Sequence, residues 1–377
     1  MQNTEQTASN NTIYPRQIAF IAAFFLPMTK FLEVPSILAG KTEGDLLLPA
    51  LLHFVLQFAI LILLLWLASR SEKTLFERLE SRLGKWIRVF YGIYAVYFVF
   101  ASILPLFDLE KFVYAAFFDT APTMFAFTFF FVLSAFICVK GIKALGRAAD
   151  LSLFLFFIPF LSLIAMSLGE AKFSHLLPIF GVDFGHTMSA FKLTTPHFSD
   201  VILLLPLLGN CKVKKGDSAK ILAGYGAGAG FTLIFLAVFF GIFSSLAPRE
   251  HYAFSKIAQY FPALNVIGRI DLLFVYLLTI ILLFVTCIPL QFATDFFCLS
   301  FNVKDKLLPA AVLNLALLLF LFYTNRHYDA IYSLFTTKLT FIFWIIADMV
   351  PLFLFFGAVF DTKKKSINQK GKEMKHV

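Results

Sequence analysis

Charge is what this sequence has least of: Asp, Glu, Lys and Arg make up 15% of its 377 residues, against 59% for the apolar types. Soluble domains carry about 25% charged residues, so a chain this poor in charge cannot cover a surface in water. It also lacks any polar stretch long enough to fold alone. Its apolar residues instead come in long runs, and Ile60–Ala68, Leu151–Leu168 and Phe231–Pro248 contain no charge at all. About 20 such residues, rising 1.5 Å each, cross a hydrocarbon core of about 30 Å. In lipid the backbone must satisfy itself, which leaves helices and closed barrels. Barrel strands alternate apolar and polar residues, and these runs do not. The expected fold class is therefore an all-α membrane protein.

Cysteine is scarce too. The four present (Cys138, Cys211, Cys287, Cys298) show no metal-ligand spacing and mostly fall inside apolar runs. They read as small buried residues, and neither a metal nor a cofactor is expected. Residues 1–12 are polar, with no basic n-region and no small-residue cleavage pattern, so the first span is expected to stay uncleaved. A net charge of +9 invites a nucleic-acid partner. The charges sit in short loops between spans, where membrane topology places them, so no nucleic acid is expected.

Ten transmembrane helices are expected, at 17–38, 46–69, 86–107, 121–139, 149–168, 187–209, 219–246, 270–298, 307–323 and 333–359. They form one transmembrane domain, 17–359, between a cytoplasmic segment 1–16 and a basic cytoplasmic tail 360–377. With the N-terminus inside, the inner segments hold 22 Lys and Arg and the outer ones seven. That bias supports ten crossings with both termini cytoplasmic. Inner segment 71–85 is amphipathic, with Leu75, Phe76, Leu79 and Leu83 on one face, and is expected to lie along the bilayer surface. Segment 252–268 is a candidate for a second surface helix. The lysine-rich tail suits solvent or anionic headgroups.

Ionisable residues inside spans are costly and mark functional sites. Two clusters occupy matching places in the two halves. In the first span, Phe25–Pro35 (FLPMTKFLEVP) puts Thr29, Lys30 and Glu33 between two prolines. Proline removes a backbone donor and frees the carbonyl one turn earlier. The bland alternative is a proline kink whose Lys30 reaches the interface or a carboxylate. In the sixth span, Lys192–Asp200 (KLTTPHFSD) gathers Thr194, Thr195, His197, Ser199 and Asp200 around Pro196. Ser199 or Asp200 there suits the start of a half-helix whose free amides face a carboxylate. The alternative is an outer loop before a short span. Interrupted hydrophobic segments at equivalent places in two halves point to a transporter binding site. Such a site lies mid-membrane, and Lys30 and Asp200 are placed to form an ion pair across it.

Other features are weaker. Gly224–Gly230 (GYGAGAG) opens a span and follows no strand, so it reads as close helix packing rather than a nucleotide loop. Asp271, Asp295 and Asp348 lie at or within span ends; Asp348, the deepest, is a candidate proton relay, and Lys338, ten helical residues away, is not expected to pair with it. Tyr91, Tyr94 and Tyr97 recur at helical spacing and fit either a cavity wall or an interface belt. The 51 phenylalanines are apolar filler and lipid contact. His197 with Asp200 and His327 with Asp329 are the pairs nearest to an enzyme site. Neither comes with a nucleophile motif, a metal set or a phosphate loop, so no enzyme is expected.

Several local patterns, taken in order, resemble the spore-germination permease family within the amino acid–polyamine–organocation group. They are Tyr14–Ile18 (YPRQI), Leu75–Glu80 (LFERLE) with Leu83–Trp86 (LGKW), Lys140–Arg147 (KGIKALGR), His175–Ile179 (HLLPI), Phe198–Asp200 (FSD) and Gly268–Asp271 (GRID). The resemblance runs from about residue 14 to 358. It implies a five-plus-five inverted repeat with discontinuous first and sixth helices. It also implies a receptor in the spore's inner membrane with two other subunits, one membrane-anchored and one a lipoprotein. By position, Thr29 matches the polar residue at the family's first-span break, Asp200 the acidic residue opening the second half of span six, and Thr286 a polar patch in span eight. Two departures stand out: Met28 replaces a usual glycine, and Lys30 a small residue.

The expected function is a permease-like germinant-receptor subunit that binds a small amino acid or related nutrient. The alternative is a free-standing proton- or sodium-coupled amino acid transporter. A third class is a passive water or ion conduit opened during germination. The expected ligand-binding residues are Met28, Thr29, Lys30, Thr195, Pro196, His197, Phe198, Ser199 and Asp200, with Tyr94 and Thr286.

Overall fold

The computed structural model describes residues 13–70, 74–117, 123–178, 180–259, 270–324 and 327–351. Among them every regular element is helical. In chain order the helices are α1 (Pro15–Met28), α2 (Val34–Thr42), α3 (Leu47–Ser69), α4 (Leu75–Leu83), α5 (Ile87–Phe117), α6 (Thr123–Lys140) and α7 (Ile142–Ser167). Then follow α8 (Phe184–Thr194), α9 (Asp200–Gly209), α10 (Lys215–Phe243), α11 (Ala253–Gln259), α12 (Ile270–Phe301), α13 (Leu307–Thr324), α14 (Tyr328–Ser333) and α15 (Thr340–Trp344). Both termini, 1–12 and 352–377, lie outside the described residues.

Among the described residues, five helices are long and apolar enough to cross a membrane, and two bent pairs raise the figure to seven. One pair, α6 and the start of α7, turns by 113° at Gly141. Gly141 has φ +73°, a left-handed conformation that a side chain resists. Residues 142–148, expected in a loop, are therefore already helical. The other pair bends by 51° near Leu339. At about 1.5 Å per residue, α5 and α12 each exceed the hydrocarbon core, so they tilt or protrude. They pack along each other through rings: Phe98 stacks on Phe296 at 5.7 Å, and Tyr94 and Tyr91 flank the same ring. Phenylalanines such as Phe129 and Phe322 point outward, where lipid is their solvent.

On the other side of the bundle, α10 lies against α1 with almost no gap. A Cβ on Gly224 or Gly228 would collide with the carbonyls of Ala19 or Ala22. These two glycines, four apart, share one helix face, and no side chain fits between the backbones. Gly230, by contrast, faces open space. The glycine-rich stretch is thus a packing seam, as its place at the start of a span implied.

The amphipathic segment forms α4, opened by a capping box between Thr74 and Glu77. Leu75, Phe76 and Leu79 are buried against the rest of the chain, Phe76 packing on Tyr91 and Phe296, while Leu83 is 37% exposed because Gly84 ends the helix beside it. Segment 252–268 departs further from expectation. Its described part, α11, is not a surface helix: Ala253, Phe254, Ile257 and Ala258 are buried.

Candidate functional site: two interrupted helices around a buried ion pair

The expected first span is interrupted between α1 and α2. Pro27 cannot donate, and the chain turns tightly instead, Lys30 N–H to Pro27 O (2.9 Å) and Phe31 N–H to Met28 O (3.2 Å). Pro35 then sits in the first turn of α2, where its missing donor costs nothing. Just before it, the backbone leaves the helical path and opens outward to α11. Ala253 N–H donates to Leu32 O and Phe254 N–H to Phe31 O, both at 3.1 Å. A surface pair joins the same two segments, His251 Nδ1 lying 2.9 Å from Glu33 Oε2.

The expected sixth span is interrupted between α8 and α9. A short 3₁₀ turn, Thr195–His197, carries Pro196, and Phe198 and Ser199 lead into Asp200 at the first position of α9. The hydroxyls here fold back onto their own backbone. Thr195 Oγ1 donates to Phe191 O (2.9 Å) and Ser199 Oγ to Thr195 O (3.0 Å), supplying donors to carbonyls at the break.

Lys30 and Asp200 meet where the two breaks face each other. Lys30 Nζ is 2.6 Å from Asp200 Oδ1 and 2.9 Å from Leu26 O, and both side chains are almost wholly buried. The second Asp200 oxygen accepts from the Tyr225 hydroxyl at 3.2 Å. Phe198 lies under the ammonium, 5.3 Å from ring centroid to nitrogen. A buried ion pair persists only when its remaining donors and acceptors are also met, and here they are.

Beside the pair lies a cavity of about 50 Å³. Its polar lining comes from Thr29, Tyr97, His197, Ser199 and Asp200, and its apolar lining includes Phe343 and Pro289. His197 Nε2 is buried with no hydrogen-bond partner among the described residues; its other nitrogen lies 3.9 Å from Asp108 Oδ2. Of the residues expected to bind ligand, Thr29, Pro196, His197, Ser199 and Asp200 line this cavity. Lys30 and Phe198 stand behind it, one as counter-ion and one as the aromatic floor under that ion. Met28 is fully buried, and Thr195 faces a separate groove beside α15. Tyr94 and Thr286 are not brought to the cavity: Tyr94 packs between Phe90 and Phe296, and Thr286 Oγ1 donates to Leu282 O of its own helix. Tyr97, one turn on, takes the place expected for Tyr94.

Sequence reasoning missed three supports of the site. Gln57 accepts from Val201 N–H (3.0 Å), capping α9, and donates to Asp348 Oδ1 (2.6 Å). Asp348 is thus tied to α3, not to Lys338. His53, one turn before Gln57, stacks between Phe191 (3.9 Å) and Phe198 (4.5 Å) and contacts Phe191 O at 3.0 Å. Tyr225 lies inside the glycine-rich seam. The signal was present: His53 and Gln57, four apart, are polar residues in an otherwise apolar span.

Comparison with solved structures finds a membrane transporter of similar fold. The crystal structure of the Eremococcus coleocola manganese transporter, in complex with an aromatic bis-isothiourea substituted compound, aligns over 90% of this chain and 78% of its own, with TM-score 0.52 and 12% identity. The inward-facing conformation of Mhp1 aligns over 86% of this chain and 75% of its own, with TM-score 0.36 and 15% identity. Comparison with curated protein sequences finds no match. Residues 12–329 match the family described as spore germination protein. By that match this multi-pass helical chain, interrupted at the two places where its sequence puts proline and charge together, belongs to the spore germination protein family of permeases.

Proposed function

We propose that this chain is the permease-like subunit of a spore germinant receptor, in which a small nutrient bound between the broken helices shifts the protein between two conformations. The observation that carries this reading is the convergence of both helix breaks on one cavity, lined by Thr29, His197, Ser199 and Asp200. Ten crossings in a five-plus-five arrangement, cytoplasmic termini, a place in the spore's inner membrane and two companion subunits belong to the same reading. A ligand shifts an equilibrium only through different affinities for its two states. The cavity holds roughly two waters by volume, so a nutrient must widen it on entering. The two bonds from α11 to Phe31 and Leu32, and the His251–Glu33 contact, are the ties that such widening strains from outside.

Spores lacking the gene test the reading. Loss of the germination response to at least one nutrient, restored by the wild-type gene, is the expected result. Unchanged responses to every nutrient would sink it. Uptake of a solute against its gradient by the purified chain in proteoliposomes would favour the free-standing transporter.

A further inference from the structure

We infer that the nutrient recognised between the broken helices is an uncharged hydrogen-bonding solute, because the chain already supplies its own zwitterion there; the inference rests on the ligand-binding reading above. An α-amino acid needs acceptors for its ammonium and donors for its carboxylate. Lys30 has taken the ammonium's place. Its Nζ lies on Leu26 O and Asp200 Oδ1, the helix-end carbonyl and the carboxylate that would otherwise receive an amine. Leu26 O also accepts from Thr29 Oγ1 at 3.0 Å, so both its lone pairs are used.

Four further acceptors along the break are engaged as well. Pro27 O and Met28 O receive Lys30 N–H and Phe31 N–H, while Phe31 O and Leu32 O receive the two amides of α11. Asp200 plays the carboxylate's part: it stands in the first turn of α9, with one oxygen on Lys30 and the other on Tyr225. On the donor side, Val201 N–H is held by Gln57 and Asp200 N–H by Phe198 O. A free amino acid would add two charges to a site whose own charges already cancel. Burying a charge without a partner weakens binding by on the order of a hundredfold or more.

The cavity offers neutral chemistry instead. Thr29, Ser199, Tyr97 and His197 line it, with Phe100 and Phe343 as apolar walls; the Thr29 and Ser199 hydroxyls donate to backbone carbonyls and keep their oxygens as acceptors, and His197 Nε2 has no partner among the described residues. Hydroxyls, amides or an uncharged heterocycle satisfy those groups without disturbing the ion pair.

The test is a thermal-shift titration of the purified full chain with D-glucose, myo-inositol and inosine in one arm and L-alanine, L-valine and L-asparagine in the other. A ligand that binds only the folded state raises Tm with the logarithm of its concentration. A saturable rise with an uncharged solute, and none with the amino acids, is expected. A saturable rise with an amino acid overturns the inference and leaves the ligand-binding reading standing. No rise with any solute overturns that reading itself.

The Lys30→Ala chain supplies a second arm. Ethylammonium, the missing end of the side chain, should raise the Tm of Lys30→Ala and leave the wild type unmoved. Equal effects on both would overturn the assignment of Lys30 to an amine's place. If Lys30→Ala does not fold, the wild-type titration still decides.

Discussion

At the paired helix breaks, Asp200 has a partner on each oxygen and Lys30 has two acceptors and a ring. On α12, Gln291 is just as deeply buried, yet neither its oxygen nor its nitrogen has a partner among the described residues. The two regions obey different rules because their groups carry different charge. An ion taken out of water must be paired, or it costs several kcal/mol. A neutral amide left unpaired costs about 1–3 kcal/mol, which a large protein can tolerate. Truncation should therefore have opposite consequences. At the first site it orphans a charge; at the second it removes a group that was already a liability.

The largest expected effect tests the paired site. Lys30→Ala or Asp200→Ala alone should cost about 3–5 kcal/mol of stability, since each leaves the other charge buried and unpaired. The double change Lys30→Ala with Asp200→Ala should cost much less than the sum. Thermal or denaturant unfolding of the four purified chains measures the coupling. Strict additivity would mean that the pair is solvated in solution, and the contrast with Gln291 would fall.

Gln57 sharpens the contrast one step out. It is neutral but bonded at both ends, to Val201 N–H and to Asp348. Gln57→Leu should destabilise by about 1–3 kcal/mol, because two buried groups lose their partner together. A loss much nearer that of Asp200→Ala would show that Asp348 is ionised and leans on Gln57. The glycine seam offers a matched pair of its own. Gly224→Ala should cost about 1–3 kcal/mol through overpacking against Ala19, whereas Gly230→Ala, facing open space, should gain up to about 1 kcal/mol from helix propensity.

The breaks were legible in the sequence because proline and charge together inside an apolar run do not suit an unbroken helix in lipid. Thr29, Lys30 and Asp200 were found by that rule, and so was the ion pair. The supports were not found, for a physical reason in each case. Gln57 and His53 interrupt nothing, so only their polarity marks them. Tyr225 sits among glycines whose packing role concealed it. Tyr94 and Tyr97 differ by one turn, and the phase of α5 against α12 decides which reaches the cavity; periodicity within one helix cannot supply that. Nor could it show that α11 would be buried, since its partners are carbonyls freed elsewhere, at Phe31 and Leu32.

The smallest effect is the one that decides the comparison. Gln291→Leu keeps nearly the same volume and removes two unpartnered polar atoms from a position with no exposure. Replacing an unsatisfied group by an apolar one of similar shape is close to neutral or stabilising, so the shift should lie within about 1 kcal/mol and on the favourable side. Asn314, on neighbouring α13, is an internal control. Its amide nitrogen donates to Ala310 O at 2.8 Å while its oxygen is unpartnered, so Asn314→Leu both removes a liability and loses a bond. It should fall between Gln291→Leu and Gln57→Leu. If Gln291→Leu instead destabilises as Gln57→Leu does, then Gln291 is bonded in the membrane, and polar groups on both sides of the bundle obey the single rule that burial requires a partner.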